Sequence, residues 1–212
     1  MIVFIAGGTG YMGRSLIPRL LAQGHEVRAL VRRGSEHKLP RGCVPVLGNA
    51  LESASFCQQA RGADAWVHLI GTPSPAPWKR SQFRAVDLAS VRAALEAATG
   101  VGIAHFVYVS VAQPAPAMRA YIEVRAECEA SIRASGLNAT IFRPWYVLGP
   151  SHRWPVVLKP FYWLFEQIPP TRDTARRLGL VTLEQMAGAL LWAVNNPCRG
   201  VRIMEVGEIR RC

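Results

Sequence analysis

Residues 1–13 read MIVFIAGGTGYMG, an apolar run that breaks at three glycines spaced Gly7-x-x-Gly10-x-x-Gly13. The stretch Ile2–Ala6 is short and rich in β-branched and aromatic side chains, the composition of a strand buried on both faces of a parallel sheet. The glycines then let the backbone turn tightly. A side chain at Gly7 or Gly10 obstructs close approach to a pyrophosphate, and one at Gly13 holds the following helix off the sheet. Over Tyr11–Ala22, Leu16 pairs with Leu20 and Ile17 with Leu21 at four-residue spacing, the pattern of an amphipathic helix. Strand, glycine turn and helix together aim unpaired backbone N–H groups and the positive helix end at an anion. A glycine triplet alone is a weak signal; in this context it reads as the start of a dinucleotide-binding fold.

The second strand, residues 25–31, indicates which dinucleotide. An acidic residue about 20 positions past the glycines accepts hydrogen bonds from the adenosine ribose of NAD. Here Arg32 and Arg33 stand in that place. A guanidinium pairs with a 2′-phosphate, which a carboxylate would repel. NADP(H) is therefore the preferred cofactor and NAD(H) the second candidate. One charge-assisted contact corresponds to roughly 10- to 150-fold preference before solvent screening. Read without a ligand, the same two arginines are exposed loop residues of a basic protein.

The chain has 212 residues, 50% of them hydrophobic, and a net charge of +11 from 25 basic and 14 acidic side chains. That length buries a substantial core and is most economically a single domain spanning residues 1–212. Only Lys38, Lys79 and Lys159 are lysines, so the basicity is almost all arginine. The arginines are scattered, and no helix-turn-helix, zinc-finger or RNP-type pattern is present, which argues against nucleic acid as a partner. Cys43, Cys57, Cys128, Cys198 and Cys212 show no paired short spacing, so neither a metal site nor a disulfide framework is expected. The apolar start is too short for a signal peptide or a transmembrane span, and the cytoplasm is the default compartment.

Downstream, strands and helices alternate. Strands are expected at 43–47, 65–70, 105–110 and 139–142, with helices at 53–60, 81–99 and 121–134 between them. Such alternation builds an α/β, doubly wound parallel sheet, the Rossmann fold. Two late strands, 178–181 and 201–206, flank a helix at 183–194 and are expected to complete a small C-terminal substrate-side cap, within a substrate- or partner-facing portion at 145–212. Ligands in these sheets lie outside the carboxyl ends of the strands. The loops there hold Asn49 and Ala50; Leu69, Ile70, Gly71 and Thr72; Ser110; and Pro144, Trp145, Tyr146 and Val147.

Six ordered motifs now converge: GGTGYMG, Arg32-Arg33, Gly48-Asn49, FVYVSV at 106–111, Tyr121-x-x-x-Arg125, and ASGLNATIFRPWYVLGP at 134–150. Together they resemble the short-chain dehydrogenase/reductase superfamily. Within it the chain is similar to the atypical NAD(P)H-binding branch, which includes NmrA-like redox sensors, isoflavone reductase relatives and the Rossmann accessory subunit of respiratory complex I. The resemblance implies that Gly7, Thr9, Gly10, Tyr11, Met12 and Gly13 cradle the pyrophosphate. It implies that Asn49, in a place usually held by aspartate, meets the adenine amine through its carbonyl, with Ala50 beside it. Leu69 to Thr72 then lie along the ribose and pyrophosphate, and Pro144 to Val147 border the nicotinamide.

The same resemblance implies a Ser/Thr, Tyr and Lys catalytic set, with the tyrosine exchanging a proton during hydride transfer. Tyr121 matches the tyrosine. Its partner on the same helical face is Arg125, whose pKa is too high to relay protons, although it holds charge beside a ribose or a tyrosinate. The usual hydroxyl position is Ala112, leaving Ser110 as substitute. Taken alone, an aromatic such as Tyr121 at the start of an amphipathic helix is more often packing than chemistry, and Ser110 is at least as well explained by a buried or backbone-bonded place at a strand end. His68 and His105 read as core histidines, and His152 as a more open one near the nicotinamide end.

Residues 154–168, WPVVLKPFYWLFEQI from Trp154 to Ile168, carry five aromatics among fifteen positions, with Pro155 and Pro160 preventing one continuous helix. This segment is expected either to cap the cleft or to face a protein partner or membrane surface peripherally. Three functions follow. The leading one is an NADPH-dependent oxidoreductase acting on a small apolar carbonyl, enone or quinone. The alternative is a non-catalytic NAD(P)H-sensing or assembly protein, and the third a small epimerase or dehydratase.

Overall fold

The computed structural model describes residues 1–73, 75–115, 118–149 and 178–212. The 154–168 segment and His152 lie outside them. Nine strands are described: β1 Ile2–Ala6, β2 Glu26–Val31, β3 Val44–Leu47, β4 Ala65–His68, β5 His105–Val109, β6 Ala139–Arg143, β7 Tyr146–Leu148, β8 Leu180–Thr182 and β9 Val201–Glu205. The helices are α1 Tyr11–Ala22, α2 Cys57–Ala60, α3 Arg80–Gln82, α4 Ala89–Val101, α5 Arg119–Ala134, α6 Leu183–Asn195 and α7 Val206–Ile209.

The main sheet has seven parallel strands in the order β3-β2-β1-β4-β5-β6-β9. Strand order reverses between β1 and β4, and the crevice at such a switch point is where doubly wound sheets bind ligands. Both faces of the sheet are apolar because successive residues alternate sides. Phe4, Trp66 and Phe106 form one row, with Phe4 and Trp66 ring centres 4.4 Å apart, and pack with Val91, Ala94 and Ala98 of α4 and Val124, Cys128 and Ile132 of α5. Ile5, Val67 and Val107 form the opposite row, under Leu16, Ile17 and Leu20 of α1 and Met186, Leu190 and Ala193 of α6. Helices thus cover both faces, as the strand and helix alternation requires.

Three departures from the sequence reading bear on the site. Strand β9 does not join a small C-terminal part: it pairs in parallel with β6 through Ala139↔Val201 to Arg143↔Glu205 and completes the main sheet. Without it the edge of β6 would carry unpaired N–H and C=O groups. Strand β8 pairs instead with β7, a strand not foreseen, in a separate two-stranded parallel sheet. The third departure is local. The long helix expected at 81–99 begins with Arg80–Gln82, widens into a π-helical stretch over Phe83–Leu88, and becomes α-helical only from Ala89. Single π turns of this kind occur often at functional sites. The helix expected at 53–60 is divided, 3-10 over Ser53–Ser55 and α over Cys57–Ala60.

Among the described residues no helix is long and apolar enough to cross a membrane.

Candidate cofactor and substrate cleft

At the carboxyl ends of β1, β4, β5 and β6 lies a cleft of about 690 Å³. Its floor is the glycine turn. Gly7 has φ +94°, a conformation open to glycine, and a Cβ built there would stand 2.9 Å from the Leu69 carbonyl carbon. Gly10 caps α1 and donates its N–H to the Gly7 carbonyl at 3.0 Å. A Cβ at Gly13 would stand 2.6 Å from the Gly7 oxygen and the Gly8 Cα, so its role is to seat α1 on the turn itself. Two further glycines were not foreseen. A Cβ at Gly8 would reach the Ala29 Cβ at 2.9 Å, and one at Gly149 would collide with the Tyr11 hydroxyl. Gly149, directly after β7, leaves the room that the Tyr11 hydroxyl occupies.

Of the residues named from sequence, Gly7, Gly10, Tyr11, Met12, Leu69, Ile70, Gly71, Thr72, Ser110, Tyr121, Arg125, Pro144, Trp145, Tyr146 and Val147 line this cleft. Five separate chain segments therefore meet there. Thr9, Gly13, Arg32, Arg33, Asn49 and Ala50 are not in its lining. Arg32 and Arg33 are exposed directly after β2, on the side where the glycine turn begins. Asn49 closes its own turn: its amide donates to Glu52 Oε1 at 2.8 Å and its Oδ1 accepts the Leu51 N–H at 3.2 Å. Each carbonyl-type oxygen has two lone pairs, so Oδ1 retains one acceptor site.

Arg125 is the most heavily bonded side chain of the cleft. Its Nη2 meets Asp87 Oδ1 at 2.7 Å, and its Nη1 donates to the Tyr108 hydroxyl at 2.9 Å and the Val109 carbonyl at 3.0 Å. The guanidinium also lies 5.0 Å from the Tyr121 ring centre. Burial opposes its charge, but Tyr108, Tyr121 and Asp87 hold its pKa well above the ordinary value. Burial likewise raises Tyr121, with the nearby Arg125 charge acting the other way, so its hydroxyl stays protonated. Phe83 packs edge-on to Tyr121 at 5.0 Å and fixes the ring. Gly71 is matched to this cluster, since a Cβ there would strike Arg125 Nη2.

Asp87 is the residue that sequence reasoning missed. The π-helical stretch brings it in fully buried, and its Oδ2 accepts from the Thr72 backbone N–H at 3.0 Å and from Thr72 Oγ1 at 2.6 Å. It thus ties the loop after β4 to α5. Its signal was a lone carboxylate on an otherwise apolar helix face beside Phe83 and Val91. Ser110 has its own buried carboxylate: Oγ donates to Glu129 Oε1 at 2.7 Å. Glu129 also accepts from Gln113 at 2.6 Å, from Arg143 at 3.0 and 2.6 Å, and from Arg133 at 3.0 Å. Burial by itself would raise the Glu129 carboxyl, and the bonds from Arg143 and Ser110 overcome this and hold it below its ordinary value. His68 and His105 are buried core residues, bonded through Nε2 to Ser90 at 3.3 Å and Thr140 at 3.0 Å.

The glycine cradle, its N-terminal helix and a cleft at the switch point fit a dinucleotide. Residues 7–157 match the family model described as NAD(P)H-binding. The chain belongs to that NAD(P)H-binding family, in line with the resemblance to the short-chain dehydrogenases/reductases, and its cofactor is a nicotinamide dinucleotide. Over 214 residues it is 28% identical to ceramide reductase of Caulobacter vibrioides, covering 99% of this chain and 65% of that protein. It is also 27% identical over 150 residues to the photosystem II assembly factor Ycf39 of Cyanophora paradoxa, covering 68% of this chain and 44% of Ycf39. The chain thus spans less than two thirds of the length of these relatives. In fold it is similar to the Bordetella bronchiseptica enzyme WbmH, solved with NAD+, with a TM-score of 0.72 at 20% identity, covering 99% of this chain and 78% of WbmH.

Proposed function

We propose that the protein is an NADP(H)-dependent oxidoreductase acting on a small apolar carbonyl, enone or quinone-type substrate. The observation that carries this reading is Tyr121: a protonated hydroxyl in the cleft wall, held between Phe83 and the Arg125 guanidinium. The glycine turn from Gly7 to Gly13 would hold the pyrophosphate, Leu69 to Thr72 the adjoining ribose, and Pro144 to Val147 the nicotinamide edge. When bound, the nicotinamide supplies or accepts the hydride. Tyr121 gives its proton to the substrate oxygen in reduction, and the fixed charge of Arg125 stabilises the tyrosinate left behind. Arg32 and Arg33, exposed at the end of β2, favour the 2′-phosphate. The similarity to ceramide reductase supports a reductase and an apolar substrate.

The test is turnover of a carbonyl, enone and quinone panel with NADPH, by wild type and Tyr121→Phe. Loss of about two to four orders of magnitude in kcat with the folded variant is expected. No turnover of any panel member by wild type, or full activity in the variant, defeats the reading.

A second reading, a cofactor-sensing or assembly protein without turnover, is favoured by one observation. Arg125 is committed to Asp87, Tyr108 and Val109 where the superfamily has a lysine, and Ala112 stands where a hydroxyl is usual. Similarity to Ycf39 supports it. NADPH binding that proceeds with no turnover, together with recovery of a defined protein complex, would establish this reading over the first.

A further inference from the structure

Besides its tyrosines, the described lining of the cleft carries two aliphatic hydroxyls, Thr72 and Ser110, and both donate their protons to buried carboxylates. Thr72 Oγ1 donates to Asp87 Oδ2 at 2.6 Å and Ser110 Oγ donates to Glu129 Oε1 at 2.7 Å. The direction of these bonds follows from chemistry: an ionised carboxylate has no proton to give, so the hydroxyl is the donor. Glu129 is held as the anion by two bonds from Arg143 and one from Arg133. Asp87 faces the Arg125 guanidinium at 2.7 Å. A hydroxyl carries one proton and two lone pairs. With the proton spent on a buried carboxylate, what remains to Ser110 is acceptor capacity.

From this we infer that Ser110 is a specificity residue that accepts a hydrogen bond from the substrate, selecting carbonyl compounds that carry a hydroxyl or N–H group beside the reacting carbonyl. Resting on the oxidoreductase reading above, the inference names its substrate class. A serine that polarises a carbonyl must donate to it; this one is held in the opposite sense. Proton donation to the carbonyl oxygen falls to Tyr121, and Ser110 reads the neighbouring donor. A plain ketone leaves the Ser110 lone pairs unpaired in a cleft wall where the residue is only 5% exposed. An α-hydroxy ketone satisfies them.

The experiment uses methyl hexyl ketone and its α-hydroxy derivative, a pair differing by one hydroxyl. Affinity for each is measured by ligand-observed NMR at saturating NADP+, which cannot reduce a ketone, after cofactor binding has been established by tryptophan fluorescence. Wild type is expected to bind the hydroxy ketone about three- to tenfold more tightly, the worth of one neutral hydrogen bond. Ser110→Ala is expected to bring the two ligands to equal affinity. Equal affinities in wild type, binding of neither ketone, or a preference that survives Ser110→Ala overturns the inference and leaves cofactor binding intact. Failure of NADPH itself to bind defeats the oxidoreductase reading and the inference with it.

Discussion

Arg125 and Asp87 form an ion pair at 2.7 Å with side chains only 6% and 0% exposed. Each is also bonded to a different strand-end loop, Arg125 to Val109 and Asp87 to Thr72, so the pair fastens two edges of the cleft to α5 and to the π-helical stretch. A buried pair of this kind is costly to halve, because the surviving charge has no water to turn to.

Removing one partner should therefore be severe. Arg125→Met is expected to cost about 3–5 kcal/mol of folding stability, and the double variant Asp87→Leu with Arg125→Met less than the sum of the two single changes. Urea unfolding of all four proteins measures this; strict additivity would show the pair to be uncoupled.

Cofactor choice depends on Arg32 and Arg33. Replacing both with alanine is expected to weaken NADPH binding about tenfold, the lower end of a charge-assisted contact because the side chains are exposed, and to leave NADH unchanged. Tryptophan fluorescence titration with both cofactors decides it. Equal affinities of wild type for NADPH and NADH would remove the role given to these arginines.

The glycine turn should tolerate no side chain at its first position. Gly7→Ala places a methyl 2.9 Å from the Leu69 backbone at φ +94°, and a strained residue of this kind costs about 1–3 kcal/mol. A fall in Tm of several degrees, with loss of dinucleotide affinity, is expected by thermal unfolding and fluorescence. Gly24→Ala, also at positive φ (+77°) but with nothing within 4 Å of its Cβ, is the control that separates backbone strain from collision.

Acid should weaken the fold through two buried histidines. Burial, aided by the charge of Arg125, lowers His68 from 6.5 to about 3, and burial with Arg202 lowers His105 to about 4. As pH falls through about 6.5 the unfolded chain takes up protons that the folded chain refuses. The stabilisation is thus complete above about pH 6.5 and is lost progressively down to the folded-state values. Each histidine contributes up to about 1.4 kcal/mol per pH unit within its window. Unfolding free energies at about pH 7 and pH 5 should differ accordingly, and His68→Gln should reduce the difference; a pH-independent stability in wild type would contradict the assignment.

The strand, turn and helix of residues 2–22 were legible because each part depends on neighbours in sequence: apolar run, glycine, four-residue spacing. The cleft was legible for a related reason, since every loop following a parallel strand ends on the same side of the sheet. Asp87 was not, because a π turn adds a residue per turn and shifts the phase on which helical periodicity relies. Glu129 carries no local signal in the sequence either. Its partners Ser110 and Arg143 stand 19 and 14 positions away, brought together by the β5–β6 pairing and by α5 crossing between them. The place of β9 was equally hidden, as nothing in Val201–Glu205 distinguishes a strand of the main sheet from one of a smaller sheet.

Arg143 sits at the seam between β6 and β9, holding Glu129 with one edge of its guanidinium and Glu205 of β9 with the other at 3.1 Å. During synthesis β6 emerges well before its outer neighbour, and through that interval its free edge is open to pairing with other chains. The arrival of β9 closes that edge and, by the same guanidinium, braces the carboxylate that governs Ser110. Closing the outer border of the sheet and holding the Glu129 carboxylate are thus tasks of a single guanidinium.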